Sequence, residues 1–236
     1  MKIPFQYILL LALCGAGASC KKDNYEAPSS QLTGRIVYKG EPIGLETNQV
    51  PFELYQYGFG KVGAIGSSFT QEGQISALLF DGEYKLIVPN GQGPFMWKYL
   101  GSGAPDSVAI TMKGNQTLDI EVTPYYMIRT PQITGGSGRV SATFKAEKII
   151  TDAVNAKNIE RVSLYINKTQ FVSGAGDQNI ASATITGANI TDLNNITMTV
   201  PVPTFVPTQN YVFGRIGLKV AGVEDAIYSQ VVKVTY

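Results

Sequence analysis

The chain has 236 residues, with 19 basic and 18 acidic side chains, and it contains no histidine. This balance leaves no basic patch of the kind that binds nucleic acid. Without histidine the chain lacks the commonest general base and the commonest metal ligand, and it cannot assemble a Ser-His-Asp triad. We therefore expect no nucleic-acid partner, no catalytic residues, no metal site and no cofactor.

The first nineteen residues have the layout of a secretory signal. Lys2 is followed by an apolar segment over residues 3–13 and then by small residues over 15–19, which is the order of a positive start, a hydrophobic segment and a cleavage region. The apolar segment is shorter than the roughly 20 residues that a membrane-spanning helix needs. Residues 1–19 are therefore predicted to be a signal peptide.

Cys20 is predicted to carry a lipid. The small residues 17–19 directly before it resemble a bacterial lipobox, and this resemblance implies that Cys20 becomes the diacylated first residue of a lipoprotein. Two or three acyl chains give stable membrane anchoring. The alternative is an export signal with an incidental cysteine. With residues 1–19 removed, Cys20 is the one remaining thiol, so no disulfide and no thiolate metal site can form.

Residues 20–30 are polar, contain Pro28 and are predicted to form a flexible tether that carries the lipid,. Their KKDN start resembles the surface-export signals of Bacteroidetes lipoproteins. This resemblance implies a lipid anchor in the outer membrane with the protein at the cell surface; the periplasmic face is the alternative. The lipid is the only contact with the membrane that we expect.

Short strands with alternating apolar and polar residues follow over residues 31–123. The segments QLTGRIVYKG, PFELYQ, GEYKLIVP and TLDIEV all show this period of two, which places one face of each strand in a core and the other in water. Turn clusters such as GEPIG, PNGQGP and KGNQ separate them. The pattern predicts an antiparallel β-sandwich.

The segment TPYYMIRTPQITGGSG contains two prolines and a glycine-serine cluster, and it predicts a domain boundary over residues 124–138,. Segments rich in Thr, Val and Ile follow and predict a second sandwich over residues 139–236. The stretch TDAVNAKNIE is the one place where a short helical turn is expected. The predicted fold class is all-β, with two tandem antiparallel β-sandwich domains.

Three segments carry a resemblance to a known family. DNYEAPSSQLTGRIVYKGEPI, LFDGEYKLIVPNGQGPF and VTPYYMI resemble a Bacteroidetes lipoprotein family of unknown function. The resemblance implies an N-terminal carboxypeptidase-regulatory-like (transthyretin-like) sandwich and a C-terminal immunoglobulin-like or fibronectin-like one. The family is typically encoded beside SusC-like and SusD-like outer-membrane glycan-uptake proteins, which are therefore expected partners. No functional residue can be carried over from it.

Four carboxylates of the first domain are candidates for a glycosidase pair, because such enzymes hold two carboxyl groups about 5–9 Å apart across a sugar. The candidates are Glu53, Asp81, Glu83 and Asp106. Asp81 lies in an Asp-Gly turn, where its side chain can bond to nearby backbone groups. Glu83 alternates with the apolar residues of its strand, so its side chain is expected to face solvent,. A role in turns and on the surface is the favoured interpretation.

Two aromatic segments are the candidate binding residues. ELYQYGFG and GPFMWKYL carry aromatic side chains at alternating positions: Tyr55, Tyr57, Phe59, Phe95, Trp97 and Tyr99. Alternation places each trio on one side of an extended segment, where exposed rings can stack on a sugar. The alternative is that the rings pack in the core, and this is the favoured interpretation for Trp97. Tyr125, Tyr126 and Arg129 are expected to pack between the domains.

These observations predict a non-catalytic cell-envelope lipoprotein. Its expected role is an accessory component of a polysaccharide-uptake system that binds an oligosaccharide or a SusC-like or SusD-like partner. The alternative is a structural spacer that acts only through protein contacts. Exposed aromatic rings beside a shallow cleft favour the first role, and buried rings under a smooth polar surface favour the second.

Overall fold

The computed structural model describes residues 26–58 and 60–236. The predicted signal peptide, the lipidation residue Cys20 and the candidate aromatic Phe59 lie outside these ranges. Residues 26–29 of the predicted tether precede the first strand. In the part of the chain that is described, no helix has the length and apolar character needed to cross a membrane.

The N-terminal half contains ten strands, which form two main sheets. In chain order they are β1 (Ser30–Tyr38), β2 (Glu41–Pro42), β3 (Pro51–Tyr57), β4 (Ala64–Ser68), β5 (Gln74–Leu79), β6 (Gly82–Ile87), β7 (Phe95–Met96), β8 (Val108–Met112), β9 (Gln116–Glu121) and β10 (Thr123–Pro124). One sheet has the order β4-β3-β6-β8, and in the other β1 pairs with β2, β5 and β9. Their apolar sides meet in a core that includes Ile36, Phe52 and Leu86.

The C-terminal half also forms two sheets. Its strands are β11 (Tyr126–Gly136), β12 (Arg139–Lys148), β13 (Ile159–Asn167), β14 (Ala181–Thr186), β15 (Ile196–Pro201), β16 (Tyr211–Val220), β17 (Ala226–Tyr228) and β18 (Val232–Thr235), with a 3-10 turn at Gly187–Asn189. One sheet has the order β11-β12-β15, and the other the order β14-β13-β16-β17, with β18 also paired to β16. The all-β fold with two sandwich domains is confirmed.

One strand pair departs from the predicted antiparallel arrangement. Strands β1 and β9 pair in parallel, with Gly34 opposite Leu118. The connection from β8 to β9 passes from one sheet to the other, so β9 does not return beside β8 as a hairpin strand. Gly34 has φ +153°, and a Cβ atom there would overlap the carbonyl oxygen of Leu118. A glycine is therefore required where β9 approaches β1.

Residues 124–138, predicted as a boundary, are not a linker. Most of them belong to β11, which pairs with β12 and so belongs to the second domain. Pro131 lies in a register shift between Arg129 and Gln132 that does not break the sheet,, and the glycines at positions 135, 136 and 138 stand at the end of β11 and in the turn to β12. In residues 151–160, where a helical turn is expected, one backbone hydrogen bond of helical spacing forms. The Ala156 nitrogen donates to the Asp152 backbone oxygen at 2.9 Å.

The two domains share one core and are joined by hydrogen bonds. A single cluster of buried apolar residues runs through both halves and includes Tyr126 and Met127 at the junction. Gly44 forms a β-bridge with Tyr228, and the Gly93 nitrogen donates a hydrogen bond of 2.7 Å to Asp225. Because apolar packing and polar contacts both cross the junction, the sandwiches form one unit in this structure.

Candidate functional site

Strand β3 presents two tyrosines on the outer side of its sheet. Phe52 and Leu54 are fully buried in the core, so the alternate residues Glu53, Tyr55 and Tyr57 face outward. Tyr55 is half-buried, whereas the Tyr57 side chain is 48% exposed. A large ring that stays this exposed on a regular strand is available to contact a ligand.

Charged residues of the neighbouring strand β6 complete this surface. Lys85 lies opposite Tyr55, and Glu83 lies opposite Tyr57. The Lys85 Nζ atom is 5.2 Å from the centre of the Tyr57 ring, within the distance of a cation–π contact. Glu83 accepts a hydrogen bond of 2.9 Å from the Thr111 hydroxyl of β8. We call the surface formed by Glu53, Tyr55, Tyr57, Glu83 and Lys85 the tyrosine face.

A hydrogen bond orients the polar groups at the other end of the tyrosine face. The Tyr55 hydroxyl donates to Glu53 Oε2 at 2.6 Å. This hydrogen bond is the largest cause of a raised pKa at the Tyr55 phenol, followed by burial of the group. The phenol therefore stays protonated at neutral pH, and the Glu53 carboxylate is held in place with acceptor capacity to spare.

The edge strand β4 leaves the tyrosine face open. Ala64 lies opposite Tyr55, and Gly66 lies opposite Glu53. Both small residues are exposed, so no bulky side chain of β4 covers the outer side of β3. The tyrosine face thus combines exposed ring surface, two carboxylates and one ammonium group on the outer side of a sheet, which is the set of groups that can stack on a sugar ring and hydrogen-bond its hydroxyls.

The second aromatic segment is mostly interior, which corrects the hypothesis of one exposed platform. Phe95 and Trp97 are only 4% and 5% exposed. The Trp97 indole nitrogen donates to the Asp106 backbone oxygen at 2.8 Å, so its polar group is satisfied inside the protein. The packing alternative for Trp97 is confirmed. Burial removes both rings from any exposed platform, because their apolar surface is already covered by the core.

Tyr99 is 48% exposed but does not belong to the tyrosine face. Its phenol lies near Tyr125, whose pKa is raised by burial and, to a smaller extent, by Tyr99. Among the described residues, no hydrogen bond, strand pairing or ring contact joins Tyr99 to Tyr57. The six candidate aromatics are therefore divided: Tyr55 and Tyr57 share a surface, Phe95 and Trp97 are buried, Tyr99 is exposed elsewhere, and Phe59 is outside the described ranges.

The candidate carboxylates Asp81 and Asp106 accept hydrogen bonds from within the first domain. Asp81 accepts from the Ser30 hydroxyl and from the Gly114 nitrogen, and these two bonds, the Ser30 bond first, lower the pKa of its carboxyl group. Asp106 accepts from the Ser107 nitrogen at 2.8 Å. Asp81 precedes β6 as expected, but its partners Ser30 and Gly114 are distant in the sequence and are not backbone groups of its own turn. Within residues 26–58 and 60–236, no cluster of three or more Asp, Glu or Cys residues could hold a metal ion.

The structure also contains a wide cleft that the sequence analysis missed. It has a volume of about 700 Å³ and lies between Trp97 and Val122 of the first domain and residues 149–152 of the second. Only the edge of Trp97 reaches it, because the ring is 5% exposed. No sequence motif indicated this cleft, since its two walls come from different domains.

The junction between the domains depends on a buried arginine that was also missed. Arg215 is 1% exposed, and its guanidinium donates to the backbone oxygens of Ser229, Val172 and Gln71 at 2.8, 3.3 and 2.6 Å. It lies 4.6 Å from the centre of the Tyr228 ring. Burial lowers the pKa of Arg215 to about 10. The signal in the sequence was a charged residue in the middle of the largely apolar strand YVFGRIGLKV, which has one further charge, Lys219, near its end.

The residues predicted to pack between the domains do so. Arg129 of β11 forms ion pairs with Glu41 of the first domain and, at 2.5 Å, with Glu147. Tyr126 is buried, and its hydroxyl donates to the Lys157 backbone oxygen at 3.0 Å. The Arg129–Glu41 ion pair joins the two domains, and both residues also line a cleft of about 490 Å³ at this junction.

Two family descriptions cover almost all of the described chain. Residues 30–123 match the family described as "Protein of unknown function (DUF3823) N-terminal domain", and residues 126–233 match the one described as "Domain of unknown function (DUF3823_C)". These matches confirm the resemblance to a Bacteroidetes family of unknown function. No curated protein matches the chain at a significant level.

Solved structures agree with the family matches. A DUF3823 family protein from Parabacteroides merdae is 31% identical, with a TM-score of 0.75 over 89% of this chain and 100% of that chain. A DUF3823 family protein from Bacteroides ovatus is 28% identical, with a TM-score of 0.73 over 88% and 99%. A Bacteroides uniformis protein called a "putative carbohydrate binding protein" shares the fold, with 19% identity and a TM-score of 0.64 over 89% and 100%.

Proposed function

The chain belongs to the DUF3823 family, and we propose that it is a non-catalytic glycan-binding protein of the cell envelope that binds through the tyrosine face. The observation that carries the proposal is the half-exposed ring of Tyr57 on the polar outer side of its sheet. The name of the Bacteroides uniformis protein of the same fold is consistent with a carbohydrate ligand. The absence of histidine from the sequence supports a binding role without catalysis,.

Each group of the tyrosine face has a role in this proposal. The exposed ring of Tyr57 offers an apolar surface on which the C–H face of a pyranose can stack. Glu53 and Glu83 accept hydrogen bonds from sugar hydroxyls, and Lys85 donates to a ring or hydroxyl oxygen. The small residues of β4 leave room for a chain of several sugars to lie across the strands. We therefore expect a linear oligosaccharide as ligand.

A glycan-array screen of the full chain, followed by titration calorimetry of the hits, tests the proposal. Tyr57→Ala should weaken binding about tenfold, equivalent to ~1.4 kcal/mol. Tyr99→Ala is the matched control, because Tyr99 is equally exposed but lies outside the tyrosine face. No bound glycan, or equal losses in the two variants, would contradict the proposal. The absence of any bound glycan would instead favour the spacer role, with which the shared core of the two domains is also compatible.

The proposal includes a lipid anchor at Cys20 in the outer membrane and exposure at the cell surface. In this position the protein would pass captured glycan to a SusC-like or SusD-like partner, as the family resemblance implies. Mass spectrometry of the mature N-terminus should find acyl chains on Cys20, and Cys20→Ser should move the protein from the membrane fraction to the soluble fraction. A Cys20→Ser protein that stays membrane-bound would refute the anchor. Crosslinking in intact cells tests the partners.

A further inference from the structure

A separate polar cleft of about 340 Å³ lies on the outer side of the sheet that contains β13, β16 and β17. Its walls come from both domains: Glu46 belongs to the first domain, and Arg161, Tyr165, Lys219 and Tyr228 belong to the second. Clefts between domains that combine an aromatic surface with a few convergent polar groups are typical ligand sites. This cleft is remote in sequence and in sheet from the tyrosine face.

The floor of the cleft is built around a glycine. Gly217 lies opposite Ser163 on one side and Tyr228 on the other. A Cβ atom at Gly217 would lie 2.9 Å from a Tyr228 ring carbon and 3.0 Å from a Tyr165 ring carbon. The two rings, whose centres are 6.3 Å apart, can therefore lean over the strand only because residue 217 has no side chain.

Both phenol groups can donate a hydrogen bond into the cleft. The Tyr228 hydroxyl accepts from the Gly174 nitrogen at 3.2 Å, and its pKa is raised by burial and then by the charge of Glu46, so it remains protonated. No described residue accepts a hydrogen bond from the hydroxyl of Tyr228 or of Tyr165. Two donors of this kind beside the Glu46 carboxylate suit a ligand that carries several hydroxyl groups.

The other end of the cleft holds two cations, Arg161 and Lys219, and Glu224 also belongs to its lining. Arg161 and Lys219 lie directly opposite each other on β13 and β16, an arrangement in which like charges repel. Arg161 contacts Glu160, and Lys219 donates to the backbone oxygen of Glu224. The Arg161 side chain is still 42% exposed. An anion between the two cations would relieve their repulsion, and a carboxylate matches the planar donors of a guanidinium.

We propose that this cleft binds one acidic sugar residue, a uronic acid, in a second glycan site. The carboxylate of the sugar lies at Arg161 and Lys219, and its hydroxyls receive hydrogen bonds from Tyr165 and Tyr228. Tyr228 lies opposite Gly217, which is two residues from Lys219 along β16. This spacing corresponds to about 7 Å along the strand, a distance that one pyranose with its carboxylate can span. This inference rests on the proposed glycan-binding function, and it adds the chemical class of the ligand.

Titration of the full chain with trigalacturonate, trimannuronate and a hyaluronan tetrasaccharide tests the inference. At least one uronate should bind, and its methyl ester, which lacks the charge, should bind at least tenfold more weakly. Arg161→Gln should weaken uronate binding about tenfold, and Tyr165→Phe, which removes only a hydroxyl, should weaken it severalfold. Tyr99→Ala, at an exposed ring outside both the cleft and the tyrosine face, is the control and should leave uronate binding unchanged, with thermal unfolding used to show that each variant is folded.

The outcomes separate this inference from the proposed function. If no uronate binds, if the methyl ester binds as well as the acid, or if Arg161→Gln binds as the original chain does, the acidic-sugar site is overturned. Glycan binding that is lost in Tyr57→Ala and retained in Arg161→Gln would leave the proposed function standing without this second site. Uronate binding that depends on Arg161 and not on Tyr99 would support the cleft, whereas the tyrosine face is tested separately by the neutral glycans whose binding Tyr57→Ala should weaken.

Discussion

Two substitutions of Arg215 separate the contribution of its hydrogen-bond geometry from that of its charge. Arg215→Met removes both, whereas Arg215→Lys keeps a cation of similar length. The guanidinium joins three backbone oxygens from different parts of the chain, including Gln71 of the first domain. A compact ammonium group cannot reach all three, because it lacks the planar fork of arginine.

The loss of stability in Arg215→Met follows from the backbone oxygens that lose their hydrogen-bond donor. In Arg215→Met the oxygens of Ser229 and Val172 lose their donor, whereas the Gln71 oxygen keeps a bond of 3.1 Å from the Leu45 nitrogen. Two unsatisfied buried carbonyls cost about 2–6 kcal/mol at ~1–3 kcal/mol each. The lost cation–π contact with Tyr228 adds ~1 kcal/mol,.

Removing the buried charge offsets part of this loss. The pKa of Arg215 falls from 12.5 to about 10, which corresponds to a penalty of about 3 kcal/mol for the charged form at ~1.4 kcal/mol per pKa unit. Arg215→Met should therefore lower the free energy of unfolding by about 2 kcal/mol. Arg215→Lys should cost at least as much, because it keeps the buried cation and still loses donors.

Urea and thermal unfolding measure these differences. A loss of about 2 kcal/mol should lower the Tm of Arg215→Met by about 4–8 °C in a protein of this size. Arg35→Met is the control: its side chain is 45% exposed and paired with Asp119, so its effect should stay within about 0.5 kcal/mol. If Arg215→Lys is as stable as the original chain, charge alone suffices. If Arg215→Met is more stable, the burial penalty outweighs the hydrogen bonds. Either result refutes the reasoning.

Three further predictions follow from the interior. Gly34→Ala should prevent β9 from pairing with β1, because its Cβ overlaps the Leu118 oxygen, and should lower the free energy of unfolding by more than about 3 kcal/mol; a folded variant of unchanged Tm would contradict this. Trp97, the only tryptophan, should show buried-type fluorescence that hardly changes with bound oligosaccharide, and a solvent-like emission maximum would be inconsistent with its 5% exposure. Burial raises the pKa of Asp225, so stability is lost as pH rises from 3.8 through the folded pKa. Asp225→Asn, which still accepts from Gly93, should therefore be more stable than the original chain at pH 7 and equal to it at pH 3 in urea unfolding; a gain of the same size at both values would show that titration is not involved.

The strand pattern and the division into two domains could be read from the sequence because both depend on local properties. Alternation in PFELYQ is visible residue by residue, and the structure buries Phe52 and Leu54 while leaving Tyr57 outside. The boundary was harder to define, since Pro131 interrupts the register of β11 without ending it, whereas the glycines of this segment lie at the end of β11 and in the turn to β12. Glycine and proline indicate an irregular backbone, and they do not show whether the sheet continues beyond it.

Alternation alone could not decide which aromatic segment is exposed. Tyr57 and Trp97 have similar sequence surroundings, but one lies on the outer side of a sheet and the other is covered by distant parts of the chain. A period of two separates the sides of an extended segment, and it does not say which side another layer will cover. That choice depends on contacts between residues far apart in the sequence.

By itself, the sequence determined the fold class, the paired domains and the lack of any histidine chemistry, and it predicts export and lipidation signals at the N-terminus, because these depend on composition, short motifs and local periodicity. Tertiary structure alone decided the exposure of each aromatic ring, the buried Arg215 that joins the domains, and the cleft where Arg161 and Lys219 meet Tyr228. These features arise where strand pairing and domain packing bring together residues from opposite ends of the chain, and such long-range pairing leaves no periodic signal in the sequence.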